Sequence, residues 1–299
     1  MKILLATDGS RSARAAARFL ARFLPGPGKH VDVMAVAPPA PSSPHPHYGP
    51  ARELRAHWRN EAGGWVDFTA RTLASRGYDV RRIVRTGQAA RSITDRAAEE
   101  SYDLVVTGVK GRTAAPFFEI GSVALAVLEH VPASVLLVRE LEAGSRRQQV
   151  TREIRPLRML IPVDGQAHSL AAIDQFIAWF REPHVEVHVV SARDPAAGEL
   201  LALLTGDEAR VLKTKLDHTV QLRLHEAVNR LAPHGIAATS GVLEGRPADA
   251  VVGAAAAMNS DVIVLGSHGI RPAGKRRLGS VALEITRTSP CTVLVIRET

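Results

Sequence analysis

The strongest constraint on this chain is that it repeats itself. Ile3-Leu4-Leu5-Ala6-Thr7-Asp8-Gly9 returns 156 residues later as Met159-Leu160-Ile161-Pro162-Val163-Asp164-Gly165. Tyr102-Asp103-Leu104-Val105-Val106-Thr107-Gly108 returns as Ser260-Asp261-Val262-Ile263-Val264-Leu265-Gly266. Pro132-Ala133-Ser134-Val135-Leu136-Leu137-Val138-Arg139 is answered by Pro290-Cys291-Thr292-Val293-Leu294-Val295-Ile296-Arg297. Three matches in one order mean tandem duplication, which makes 299 residues two domains of ordinary size rather than one large one. We place a first domain at 1–140, a linker at 141–157 and a second domain at 158–299. The stretch around Gly144, Ser145, Arg146, Arg147, Gln148 and Gln149 has no apolar period, so the cut falls there.

Between these landmarks, short β-branched runs alternate with stretches at helical spacing, the pattern of parallel β/α units. The first half predicts strands at 2–7, 31–37, 79–85, 103–108 and 134–139, with helices at 11–24, 51–76, 88–99 and 121–130. The second predicts strands at 158–163, 184–191, 236–243, 261–266 and 292–297, with helices at 168–181, 207–232, 247–258 and 279–288. Five strands per half give an α/β fold of two doubly wound parallel sheets. The segment 38–50, with six prolines from Pro38 to Pro50, reads as extended rather than helical.

Hydrophobic residues at 45%, charged residues at 23% and a mean hydropathy of -0.01 describe a chain that buries a full core. Apolar runs such as 104–106 and 262–265 fall far short of the roughly 20 residues of a membrane span. The opening apolar stretch is too short for a secretory signal, so a cytoplasmic protein without membrane attachment is expected. The single cysteine, Cys291, excludes an intrachain disulfide and a cysteine-ligated metal, and its place before an apolar run reads as a buried strand position. His45 with His47, and His184 with His188, lack further ligands at metal-binding spacing. A net charge of +8 asks for an anionic partner. Arg11, Arg14, Arg18 and Arg22 form a helical stripe, read as the solvent face of a helix that turns Phe19, Leu20, Phe23 and Leu24 inward. Without long Lys/Arg blocks, nucleic acid is not the expected partner.

The chemistry is concentrated after the fourth strand of each half, in Gly-x2-Gly-x9-Gly-Ser: Gly108, Gly111, Gly121, Ser122, and again Gly266, Gly269, Gly279, Ser280. Glycines permit close backbone approach, so amide N–H groups can converge on an anion. The final Gly-Ser opens a helix, where unpaired N–H groups, the helix dipole and a hydroxyl favour phosphate. In open parallel sheets ligands bind beyond the carboxyl ends of the strands where strand order reverses. Asp8 and the Gly108 loop then share one crevice, and Asp164 and the Gly266 loop another. A carboxylate there can accept bonds from an adenine amino group or ribose hydroxyls, or cap the following helix.

These residues resemble the universal stress protein family, in its tandem two-domain, ATP-binding branch. The resemblance covers nearly the whole chain and rests on Asp8-Gly9-Ser10 and Asp164-Gly165, on Gly87 and Gly245 after the third strands, and on both glycine motifs. It implies a Rossmann-like, adenine nucleotide alpha hydrolase-like sheet of order 3-2-1-4-5 and ATP, with Mg²⁺, held by the aspartates and glycine loops. It also implies an intramolecular pseudo-dimer through the fifth strands, with a homodimer and an unidentified protein partner as further associations. By the same similarity Val36 and Val190, near the ends of the second strands, would lie against adenine. Gln166 departs from the pattern where the first half has Ser10.

Two rival motifs fail. Gly269-Ile-Arg-Pro-Ala-Gly274-Lys275 satisfies the start of a P-loop, but Arg276 replaces the hydroxyl residue that would hold Mg²⁺. A dinucleotide-binding fingerprint after the first strand would need two more glycines than Gly9. A nucleotide-binding sensor or regulatory module is therefore expected, with a weak ATPase or phosphotransferase, or a ligand-free scaffold, as alternatives. His268 is read as a phosphate contact, not a base. The second site is expected to bind more tightly, because Lys275, Arg276 and Arg277 stand where the first loop has Phe117, Phe118 and Glu119.

Overall fold

The computed structural model describes residues 1–39, 50–112, 120–140, 155–180, 185–193, 203–204, 206–267 and 278–297. It divides into two compact units, Met1–Glu140 with Thr299, and Leu141–Glu298. The prolines and histidines of 40–49, most of the expected linker, His184, the first-loop residues Phe117 to Glu119, and His268, Gly269, Lys275, Arg276 and Arg277 lie outside the described residues.

The first unit runs β1 (Lys2–Ala6), α1 (Arg11–Phe23), β2 (His30–Ala37), α2 (Pro50–Ala74), β3 (Asp79–Thr86), α3 (Ala89–Glu99), β4 (Leu104–Gly108), α4 (Ser122–His130) and β5 (Ser134–Val138). Its strands are all parallel in the order β3-β2-β1-β4-β5. The central strands are apolar on both faces because helices cover both, and Ile3, Leu4, Leu5, Leu104, Val105 and Val106 are fully buried. In α1, Ala13, Ala16, Ala17, Leu20 and Phe23 face the sheet while Arg11, Arg14 and Arg18 are exposed. Phe19, expected inward, is only half-buried and stacks on Phe23 at 5.5 Å between ring centroids. Pro50, expected in the extended segment, instead opens α2, where a missing N–H costs nothing and φ is already helical.

The second unit follows the same plan: β6 (Leu157–Pro162), α5 (Ala167–Trp179), β7 (Val185–Arg193), α6 (Gly206–Leu231), β8 (Ala238–Glu244), α7 (Pro247–Ala257), β9 (Val262–Gly266), α8 (Ser280–Thr288) and β10 (Thr292–Ile296). Its parallel strands take the order β8-β7-β6-β9-β10, so each unit has the expected 3-2-1-4-5 sheet. β6 takes in Leu157, one residue earlier than expected. A 3-10 turn at Ala232–His234, ended by Gly235 at φ 71°, delays β8 to Ala238. Cys291 is buried just before β10, as expected. In both units the first strand has the second on one side and the fourth on the other. The chain thus leaves their carboxyl ends in opposite directions, and that divergence opens a crevice.

Candidate functional site

In the first unit the crevice is a cleft of about 890 Å³, within the size range of small-ligand sites. Asp8 enters from the end of β1, Met34 and Val36 from β2, Trp65 from α2, Gly108 to Arg112 from the end of β4, and Gly121 to Leu125 from the start of α4. The expected residues Asp8, Val36, Gly108, Gly111, Gly121 and Ser122 therefore line one cavity.

The turn after β1 is built around the carboxylate of Asp8. Its Oδ1 accepts from the amide of Ser10 at 3.0 Å, and its Oδ2 from the amide of Arg112 at 2.9 Å. Asp8 thus ties the β1–α1 turn to the loop after β4 and brings the second motif glycine, Gly111, to its side. Ser10 then caps α1, its Oγ accepting from the amide of Ala13 at 3.0 Å. Gly9 has φ 72°, and a β-carbon there would stand 2.4 Å from the Trp65 ring, so glycine is required for both the turn and the close approach of α2.

The motif glycines do different work. A β-carbon on Gly108 would meet Ser12 Oγ at 2.4 Å and the Ser12 backbone carbon at 2.8 Å, so this glycine lets α1 close onto β4. One on Gly111 would meet Asp8 Oδ2 at 3.0 Å, and one on Gly121 the Val109 carbonyl oxygen at 3.1 Å. Gly121 donates its own amide to that carbonyl at 2.8 Å and stands at the N-cap of α4, where no side chain caps the helix. The first intrahelical bond runs from Leu125 to Gly121 at 2.9 Å, so the amides of Ser122, Val123 and Ala124 have no acceptor within the helix and point to the cleft end. A bound anion satisfies such amides and the dipole behind them.

The second unit repeats the frame. Asp164 Oδ1 accepts from the amide of Gln166 at 3.0 Å, and Gly165 sits at φ 75°. Gly266 approaches α5, a β-carbon there standing 3.1 Å from the His168 carbonyl oxygen. Gly279 donates to the Ser267 carbonyl at 3.0 Å and stands uncapped before Ser280, with the first helical bond from Leu283 to Gly279 at 2.9 Å. Gln166 takes the N-cap position, but its side chain makes no capping bond.

Register separates the two expected apolar contacts. Ala6 pairs with Met34, and its repeat partner Pro162 pairs with Val190, so Val190 stands in the place of Met34. Gly87 donates to the Ala37 carbonyl and Gly245 to that of Arg193, which makes Ala192 the counterpart of Val36. Val190 is 1% exposed in the sheet. Trp65 and Arg112, which carry no motif of their own, also belong to the first cleft. Arg223 stands in the second frame where Trp65 stands in the first: a β-carbon on Gly165 would meet Arg223 Cγ at 2.3 Å.

At the opposite, amino-terminal end of the first sheet lies a charged cluster with no counterpart in the motif. Asp32, 0% exposed, accepts from Arg81 at 2.6 and 3.0 Å, Arg96 at 3.1 Å, His30 at 2.8 Å and the Tyr102 hydroxyl. Burial alone would raise its pKa, but these bonds outweigh it and hold the carboxyl below its usual range. Burial, reinforced by Asp32, pushes the Tyr102 hydroxyl up to about 12. In the second unit His188 occupies the register of Asp32 and contacts Thr239 through Nδ1. Among the described residues no group of three or more His, Cys, Asp or Glu could hold a metal ion, and no helix is long and apolar enough to cross a membrane.

Comparison with known proteins agrees with this reading of the fold. The sequence model of the universal stress protein family matches residues 1–139 and 157–297. The universal stress protein in the QAH/OAS sulfhydrylase 3' region of Thermus aquaticus is 30% identical over 139 residues, 46% of this chain and 97% of that protein. Universal stress protein YxiE of Bacillus subtilis is 28% identical over 149 residues, 47% of this chain and 98% of that protein. The crystal structure of a universal stress protein from Archaeoglobus fulgidus superposes with a TM-score of 0.66 at 18% identity, over 99% of this chain and 96% of the other, a likeness of fold.

Proposed function

The chain belongs to the universal stress protein family, and from that premise we propose that it is an ATP-binding regulatory module of the cytoplasmic stress response. One observation carries the reading: two uncapped helix N-termini, at Gly121-Ser122 and Gly279-Ser280, each open beside a glycine turn and an aspartate at a sheet switch point. Donors of this kind suit phosphate, and in the first unit the cleft beyond them is walled by Val36, Met34 and Ile93, which suit a flat base. Asp8 uses one lone pair of each oxygen on the loop amides, so it retains acceptor capacity for a ribose or an amino group. Mg²⁺ would arrive with the triphosphate, held chiefly by phosphate oxygens.

The described walls of the cleft present no nucleophile paired with a base, so binding rather than turnover is the expected activity. ATP should raise the melting temperature of the purified protein by mass action, by about 2.7 kcal/mol of stability at a hundredfold excess over Kd. An equal rise with GTP would remove the adenine preference. Steady hydrolysis at about 1 per second would make the protein an enzyme instead.

A further inference from the structure

Three contacts meet on Arg112, the residue that follows the second glycine of the first motif. Its amide is bound by Asp8 at 2.9 Å, its Nη1 pairs with Glu61 Oε1 at 3.0 Å, and its guanidinium lies 4.6 Å from the centre of the Trp65 ring. Glu61 and Trp65 are four residues apart on α2, which puts them on one helix face. Trp65 in turn fills the space above Gly9. The side chain of Arg112 therefore spans from the cradle to α2 along the wall of the cleft.

We propose that Arg112 is the phosphate-recognising cation of the first site and that Glu61 withholds it, so that a nucleoside polyphosphate must take Arg112 from Glu61 in order to bind. This rests on the nucleotide reading of the same site. The exchange is favourable in kind: the pair is half-exposed, with 48% of the Arg112 and 35% of the Glu61 side chain accessible, so neither partner is stranded in a dry interior when it breaks. A polyphosphate offers several anionic oxygens to a guanidinium fork where Glu61 offers one carboxylate. Because Arg112 leaves the face of Trp65 as it turns, the tryptophan reports the exchange. Among the described residues of the second unit, Arg223 holds the place of Trp65.

The test uses the full-length chain with Trp58→Phe and Trp179→Phe, which leaves Trp65 as the one tryptophan. ATP and inorganic tripolyphosphate should each change Trp65 emission. Glu61→Gln, which releases the cation, should lower the half-saturating concentration of both about three- to tenfold; Arg112→Ala should raise it at least about tenfold, and Arg112→Lys should recover part of the loss. Adenosine, which lacks phosphate, should bind these variants alike. Glu61→Gln and Arg112→Ala moving affinity in the same direction, or leaving it unchanged, would reduce the cluster to a brace for the loop and overturn the latch. An effect on adenosine as large as that on ATP would do the same. Failure of the wild-type chain to bind ATP in calorimetry would overturn the nucleotide reading, and the latch with it.

Discussion

Gly108 shows how one residue type can carry two demands. A β-carbon there collides with the backbone of Ser12 as well as its hydroxyl, so relief requires α1 to move. Gly108→Ala should cost about 1–3 kcal/mol of stability in the first unit, a loss visible in thermal melts without any ligand. Gly121→Ala meets one carbonyl at 3.1 Å and should fold nearly normally while binding nucleotide less well. Equal melting temperatures for wild type and Gly108→Ala would refute the packing role. Asp32 makes a different demand. Its pKa is depressed in the folded state, so its contribution is present above the ordinary carboxylate value of 3.8 and is lost as pH falls below it. Asp32→Asn, which takes the buried counter-charge from Arg81 and the 11%-exposed Arg96 and leaves them sharing only Glu100, should cost about 3 kcal/mol at pH 7. The wild-type and variant melting curves should begin to converge only as pH is lowered below about 3.8, and should still differ at pH 3. Tyr102 works in the other direction: its raised pKa favours the folded state until pH climbs from about 10 toward about 12.

Among the elements, the first helices of the two units make a natural comparison. Both begin from an extended N-cap residue, Ser10 at φ -63° and ψ 165°, and Gln166 at φ -80° and ψ 157°. Serine closes a bond to the backbone of Ala13, and the longer glutamine side chain does not. Gln166→Ser should therefore stabilise the second unit by about 0.5–1 kcal/mol, and Ser10→Ala should destabilise the first by about 1 kcal/mol. Chemical denaturation of each variant reads both signs, and a stabilising Ser10→Ala would show that the cap bond contributes nothing. The helices α4 and α8 lack side-chain caps at the same position in both units. α3 and α7 also begin without a side-chain cap, at Gln88 and Arg246, so a missing cap does not by itself mark a ligand site.

For the whole molecule the question is whether duplicated frames mean duplicated affinities. The turns, aspartates and uncapped helices repeat, but the side chains that project from α2 and α6 do not: Trp65 faces Gly9, and Arg223 faces Gly165. The loop sequences also diverge, Phe117, Phe118 and Glu119 against Lys275, Arg276 and Arg277. One cation near a phosphate is worth on the order of 1 kcal/mol at a surface-like dielectric, so the second site should be tighter by about tenfold or more. Calorimetry on the full chain should resolve two classes of ATP site. Gly279→Val should abolish most of the high-affinity class and Gly121→Val should leave it largely intact, and the reverse order would show that charge does not set the ranking.

Much of this protein is written locally. Short β-branched runs and stretches at helical spacing marked the described strands and α-helices to within a few residues, because backbone periodicity is encoded by neighbours in the chain. The duplication and both Gly-x2-Gly-x9-Gly-Ser motifs are visible for the same reason, and with them the positions of Asp8 and Asp164. What lies across from those positions is set by packing between segments 50 to 100 residues apart. Only the pairing of β6 with β7 shows that Ala192, not Val190, matches Val36. Only the docking of α2 puts Trp65 on Gly9 and Glu61 beside Arg112, and only the closure of α1 on β4 explains Gly108 through Ser12. A helix declares its apolar face in its own sequence, but which of its side chains lands on a distant turn depends on the register and depth at which the whole sheet and helix layers come together.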